Sequence, residues 1–202
     1  MSKVGPPPTE WKSARWWQNR PVEERLAWAH IPPRWKDVKC EEWSDELDQF
    51  IDNFNPQVPG LLVTGPSGSG KTIVSIGLFK GLLRTHPISG RFVNSDRYVE
   101  MLKDQFDNDN QLPEMYAMPH LIKYLKGVFD VILLDGLGQE RLTEFAQHEL
   151  GSLLRQRYED CRTTIITSSL TKNDLLRRYG ERISGVLSEM PVLVMPKFMW
   201  KD

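Results

Sequence analysis

The run Gly65-Pro66-Ser67-Gly68-Ser69-Gly70-Lys71-Thr72 satisfies the pattern GxxxxGK[ST] at every fixed position, between an apolar stretch and a helical one. Its glycines carry no side chain to obstruct phosphate oxygens, so successive backbone N–H groups can converge on them. A helix starting at Lys71 adds the positive end of its dipole. The Lys71 ammonium is expected to reach the β- and γ-phosphates, and the Thr72 hydroxyl to ligate Mg²⁺. These eight residues predict a nucleoside triphosphate site.

Such a site needs an acid for its metal. Asp135 follows Val131-Ile132-Leu133-Leu134, which reads as a buried strand. Open α/β sheets bind ligands at the carboxyl ends of their strands, and a carboxylate there can hold Mg²⁺ through water. The competing reading is a turn aspartate ahead of Gly136. About thirty residues on, Thr163-Thr164-Ile165-Ile166-Thr167-Ser168-Ser169 is a strand ending in hydroxyls. Such an end can contact the γ-phosphate or orient water. Equally, Ser168, Ser169 and Thr171 can cap the following helix. Arg177-Arg178-Tyr179-Gly180-Glu181-Arg182-Ile183 then adds cations, which suit either a helix C-terminus capped by Gly180 or an arginine finger supplied to a neighbour.

The elements that must position these residues alternate along the chain. Strands are expected at Gly60–Thr64, Arg91–Asn94, Asp130–Leu134, Thr163–Thr167 and Val192–Met195. Helices are expected from Lys71 to about Leu83, Asp96 to Gln105, around Leu121–Leu125, over Glu144–Tyr158 and ending at Gly180. Asp107-Asn108-Asp109-Asn110 reads as a polar loop. Alternation of this kind implies a three-layer α/β fold on a parallel five-stranded sheet.

Ahead of it lies a different kind of sequence. Tryptophans 11, 16, 17, 28, 35 and 43 fall in the first 43 residues, broken by Pro6, Pro7, Pro8, Pro21, Pro32 and Pro33. Residues 1–39 hold eight Lys/Arg against four Asp/Glu, whereas residues 41–52 hold six acids and no base. Pro21 suits the first turn of a helix through Val22, Leu26 and Ala29. The expected division is a tryptophan-rich arm over 1–42 and a nucleotide-binding core over 43–202.

Several function classes drop out. The longest apolar runs are far short of the ~20 residues of a membrane helix, and the start shows no secretory signal, so a cytoplasmic protein is expected. Cys40 and Cys161 have no zinc-binding spacing, and the four histidines are scattered. A net charge of −1 argues against a broad polybasic surface but leaves room for a local nucleic-acid patch.

The succession of pieces resembles the AAA+ ATPases of the bacterial helicase-loader family (DnaC/DnaI type) and the related IstB-type transposition ATPases. The likeness runs over roughly residues 28–202: Ile31-Pro32-Pro33-Arg34, Gly65–Thr72, the segment 91–103, Val131–Asp135, Thr167-Ser168-Ser169, Gly180-Glu181-Arg182-Ile183 and Phe198-Met199-Trp200. It implies ATP and Mg²⁺ as cofactors, a sensor role for Ser168, and Arg182 as a finger acting in trans. It therefore implies a homo-oligomer with sites between subunits. It also implies a helicase loader in DNA replication that joins a replicative helicase hexamer and delivers it to single-stranded DNA. Family members usually carry Asp-Glu where this chain has Asp135-Gly136. The missing glutamate predicts a weak or partner-dependent ATPase, since general-base help is worth about 10²–10⁴ in rate. Glu140, five residues past Asp135, is the substitute the sequence offers. No C-terminal lid domain is evident.

Trp11, Trp16 and Trp17, among Lys12, Arg15 and Arg20, can dock a partner protein, stack on bases or fold back on the core. The loader likeness favours docking the helicase. Two other functions share the phosphate cradle: a DNA-binding transposition helper of IstB type and a small-molecule P-loop kinase. The 64 residues ahead of the loop count against the kinase.

Overall fold

The computed structural model describes residues 19–38, 45–55, 58–107 and 118–197. Trp11, Trp16, Trp17, Cys40, Trp43, most of the Asp107–Asn110 loop and Phe198–Trp200 lie outside the described residues, as do the contacts expected of them.

Five strands form one parallel sheet: β1 (Gly60–Thr64), β2 (Gly90–Asn94), β3 (Val131–Asp135), β4 (Thr163–Ser168) and β5 (Val192–Val194), in the spatial order β2-β3-β4-β1-β5. Chain order departs from spatial order at β1, so the phosphate loop leaves the sheet beside β4 and one strand away from β3. The eight helices among the described residues are α1 (Val22–Trp28), α2 (Asp45–Asp52), α3 (Lys71–Thr85), α4 (Ser95–Asp107), α5 (Met118–Gly127), α6 (Glu144–Glu159), α7 (Lys172–Tyr179) and α8 (Ser184–Glu189). Short 3₁₀ turns cover Pro33–Trp35 and Gly180–Arg182.

Period-two alternation in the strands sorts the core into two layers. Leu62, Ile132, Leu134 and Ile166 point to the face covered by α4 to α8. Leu61, Val63, Leu133 and Ile165 point to the opposite face, covered by α3 with Ala29, Ile31, Leu47 and Ile51. Both faces of the sheet are thus buried, as parallel sheets require. Among the described residues no separate lid domain is built. No described helix is long and apolar enough to cross a membrane.

The expected strands and helices are all present, within a few residues at their ends. Helices α2 and α8 stand beyond the expected elements, and the acids of α2 hide the Leu47-Phe50-Ile51 stripe that packs toward α3. Residues 22–38 pack onto the α3 layer: the Phe92 N–H donates to the Ala29 carbonyl (2.8 Å), and the buried Lys80 ammonium donates to the Lys36 carbonyl (2.6 Å). On the far side, Arg157 is fully buried and donates to five oxygens at 2.7–3.2 Å, among them the carbonyls of Leu125, Phe129 and Thr163. That one guanidinium fastens α6 to the entry ends of β3 and β4.

Candidate functional site

The phosphate loop runs from the carboxyl end of β1 to the first turn of α3. Gly65 has φ +146°, and a Cβ there would sit 2.4 Å from the Met195 carbonyl oxygen, so only glycine allows this approach of loop to chain. Lys71 folds its ammonium onto the carbonyls of Gly65 (2.8 Å) and Pro66 (2.7 Å). Burial holds this ammonium below its ordinary range, and the charge of Asp135 pushes it back up. Ser69 Oγ is buried with no hydrogen-bond partner, whereas Cβ atoms added at Gly68 and Gly70 would meet nothing within 4 Å. A loop with an orphaned hydroxyl, open glycines and a helix start behind it fits a phosphate chain.

Asp135 closes β3 in register with Asn94 of β2. Its Oδ1 accepts from the Thr72 hydroxyl (2.8 Å) and from the Thr167 hydroxyl (2.7 Å). Thr72 and Asp135, expected as metal-holding residues from positions 63 apart, therefore touch. They are hard oxygen donors, the set Mg²⁺ takes.

Ser168 stands elsewhere. Its hydroxyl donates to the Leu137 carbonyl (2.6 Å) and accepts from the Leu170 N–H (3.0 Å), away from Asp135. Thr167 is the β4 residue that faces the acid. Neighbours in a strand point to opposite faces, and two adjacent hydroxyls give no signal of which one faces in. The capping role falls to Thr171, in a reciprocal box with Asp174 at the start of α7.

Glu140 does not reach the loop. It is 2% exposed, and its carboxylate accepts from the Tyr179 hydroxyl and the Gly138 N–H (3.0 Å), with Arg178 at 3.5 Å. Burial and this hydrogen bond push the Tyr179 hydroxyl well above its ordinary range. The expectation that Glu140 replaces the missing acid is corrected on this ground: its oxygens are committed to α7.

Arg182 lies in the turn after α7, exposed, against Gly151 of α6. It lines a surface cleft with His148, Ser152, Arg155 and Gln156, and its side chain makes no hydrogen bond or ion pair among the described residues. Arg177, by contrast, pairs with Asp174 (2.9 Å).

A model of the IstB-like ATP-binding protein family matches residues 48–182, about two thirds of the chain, from α2 through the phosphate loop and Asp135 to Arg182. The chain belongs to this IstB-like ATP-binding family. A search of curated proteins finds no match. Among solved structures, this IstB-like protein is similar to a DnaC helicase loader, at 23% identity and a TM-score of 0.70 over 81% of this chain and 99% of that one. It is similar to DnaI at 17% identity and 0.58, covering 82% and 92%. It is also similar to AMPPCP-bound DnaA from Aquifex aeolicus at 14% identity and 0.60, covering 82% and 51%. At these identities the likeness is one of fold, the α/β P-loop fold of AAA+ type on a parallel five-stranded sheet.

Proposed function

We propose that this IstB-like protein is an ATP switch that loads a replicative helicase onto single-stranded DNA, with weak or partner-dependent hydrolysis. Gly65–Thr72 would hold the phosphates of ATP, with Lys71 serving the β- and γ-phosphates, and Thr72 and Asp135 would hold Mg²⁺, which would supply charge neutralisation there. Thr167 fixes Asp135, and Arg182 reaches the γ-phosphate of an adjacent protomer in a homo-oligomer. The arm, through Trp11, Trp16 and Trp17, docks the helicase hexamer.

The observation that carries this reading is the separation of roles within one chain. Lys71, Thr72 and Asp135 converge on one loop, while Arg182 is exposed in a cleft against α6 and unpaired among the described residues. A cation with no partner among the described residues suits a site completed between subunits. The fold likeness to a helicase loader over nearly its whole length supports the partner.

The test is light scattering of the protein mixed with its cognate replicative helicase, ATP and Mg²⁺, beside Lys71→Ala and a Trp11→Ala/Trp16→Ala/Trp17→Ala variant. An ATP-dependent complex lost in both variants is the expected result. The family match also favours a second reading, a transposition helper that coats DNA. ATP-dependent growth on duplex DNA without a helicase complex selects it.

A further inference from the structure

Gly136 follows Asp135 directly, at the carboxyl end of β3. The backbone there has φ +80°, and an added Cβ would lie 2.8 Å from Gln139 Oε1, 3.1 Å from Gln139 Cδ and 3.4 Å from Asn94 Nδ2. Two carboxamides therefore close over the position that a glutamate leaves. We propose that Gln139 orients the water that attacks the γ-phosphate, with Asn94 beside it, in place of an acid at position 136. This rests on the ATPase reading above.

The turn carrying Gln139 is held from several directions. Gly136 N–H donates to the Thr167 hydroxyl (2.9 Å), and Leu137 N–H to the Thr167 carbonyl (2.9 Å). The Gly136 carbonyl accepts from Ser95 Oγ (2.7 Å) and from the Gln139 N–H (3.0 Å), closing a tight turn. The Gly138 N–H is taken by buried Glu140, itself tied to Tyr179 and Arg178. Gln139 is exposed and its side chain makes no hydrogen bond among the described residues, so its amide is available while its backbone is fixed. Asn94 sits in register with Asp135, and its Oδ1 accepts from the Arg97 N–H (3.2 Å). With Oδ1 so engaged, it is the Asn94 amide nitrogen that faces position 136.

A carboxamide accepts a hydrogen bond from water through its oxygen but does not take the proton at neutral pH. Water oxygen bonds to the γ-phosphorus as the bond to the β–γ bridging oxygen breaks, and that electron pair stays on ADP. The water proton leaves to the released phosphate and bulk solvent. A glutamine serves this way in P-loop GTPases that hydrolyse slowly without a partner. The same logic makes slow turnover here a property of the turn.

The experiment measures affinity of wild type, Gln139→Ala and Gln139→Glu for fluorescent ADP, with and without aluminium fluoride and Mg²⁺, and single-turnover ATP hydrolysis from pH 5.5 to 9. In Gln139→Ala, the added affinity due to aluminium fluoride falls by about 10- to 100-fold and the single-turnover rate falls in step, with ADP affinity unchanged. Gln139→Glu introduces an acidic limb into the pH–rate profile that wild type lacks. Equal aluminium fluoride affinity and rate in wild type and Gln139→Ala would overturn the assignment. So would wild type that binds ATP but neither gains affinity from aluminium fluoride nor turns over; the switch reading then stands alone. A wild type that binds no ATP defeats both.

Discussion

The Thr167 hydroxyl donates to Asp135 Oδ1 over 2.7 Å while accepting the Gly136 N–H at 2.9 Å. One side chain on β4 thus holds both Asp135, the metal ligand of the proposed site, and the first residue of the loop behind it. Thr167→Val keeps the shape and removes both bonds. Hydrogen bonds to charged groups are worth about 1.5–3 kcal/mol, so Mg²⁺-dependent ATP affinity is expected to fall roughly tenfold or more by titration calorimetry. Ser168→Ala changes that affinity less than about twofold, because its partners are Leu137 and Leu170. The reverse ranking would return the sensor role to Ser168.

In the proposed site Lys71 serves the phosphates and Asp135 the metal, so the two can be tested separately. Lys71→Ala is expected to weaken ATP by about 100-fold, since it removes a charge-assisted contact to two phosphates. Asp135→Asn keeps an oxygen for Thr72 and loses the charge. ATP affinity in that variant should respond little to EDTA, whereas EDTA weakens ATP binding by wild type. A wild type indifferent to EDTA would remove magnesium from the site.

Arg182 is exposed and touches α6 through its aliphatic stem, so Arg182→Ala should leave thermal stability within about 0.5 kcal/mol of wild type. ATP affinity of the isolated protomer is also unchanged. In the assembled state turnover drops by about 10³-fold or more, the scale of a finger contribution. Mixing Arg182→Ala with Lys71→Ala should restore part of the activity, since one protomer supplies the loop and the other the finger. Failure of the mixture to recover any activity would place the arginine outside a shared site.

Glu140 is a buried carboxylate with three partners, and Glu140→Ala takes the acceptor from the Tyr179 hydroxyl and the Gly138 N–H and the counter-charge from Arg178, which keeps its bond to the carbonyl of residue 140. Breaking a buried pair costs about 3–5 kcal/mol. For a chain of this length that corresponds to a fall in Tm of roughly 6–20 °C, read by calorimetry. A shift under 2 °C would mean that the cluster is not holding the turn.

Arg157→Met removes a guanidinium on α6 that donates to five oxygens, of Leu125 in α5, Phe129 and Asp130 ahead of β3, and Thr163 and Thr164 of β4. The aliphatic part of the site stays filled while several buried acceptors lose their donor. Destabilisation of about 3 kcal/mol or more is expected in urea unfolding, with ATP affinity of the folded protein unchanged because no phosphate-loop residue touches it.

The phosphate loop, the acid at the end of β3 and the layered sheet are legible along the chain. Each is written in local spacing: glycines, Lys71 and Thr72 within eight residues, Asp135 at the end of an apolar run, strands and helices with distinct hydrophobic periods. Helix α2 was equally legible in Leu47, Phe50 and Ile51, and was obscured only by the acids around them. What the tertiary structure decided is which of two neighbouring hydroxyls faces Asp135, where Glu140 spends its charge, and what stands over Gly136. Thr167 and Ser168 have the same chemistry, and only the pairing of β4 with its neighbours and the pleat fix which one turns toward Asp135. Glu140 meets Tyr179 across thirty-nine residues, and Gln139 comes over Gly136 through a turn pinned by Ser95 and Thr167 from two other elements. Such contacts depend on strand order and chain reversal, and periodicity along one segment carries no record of them.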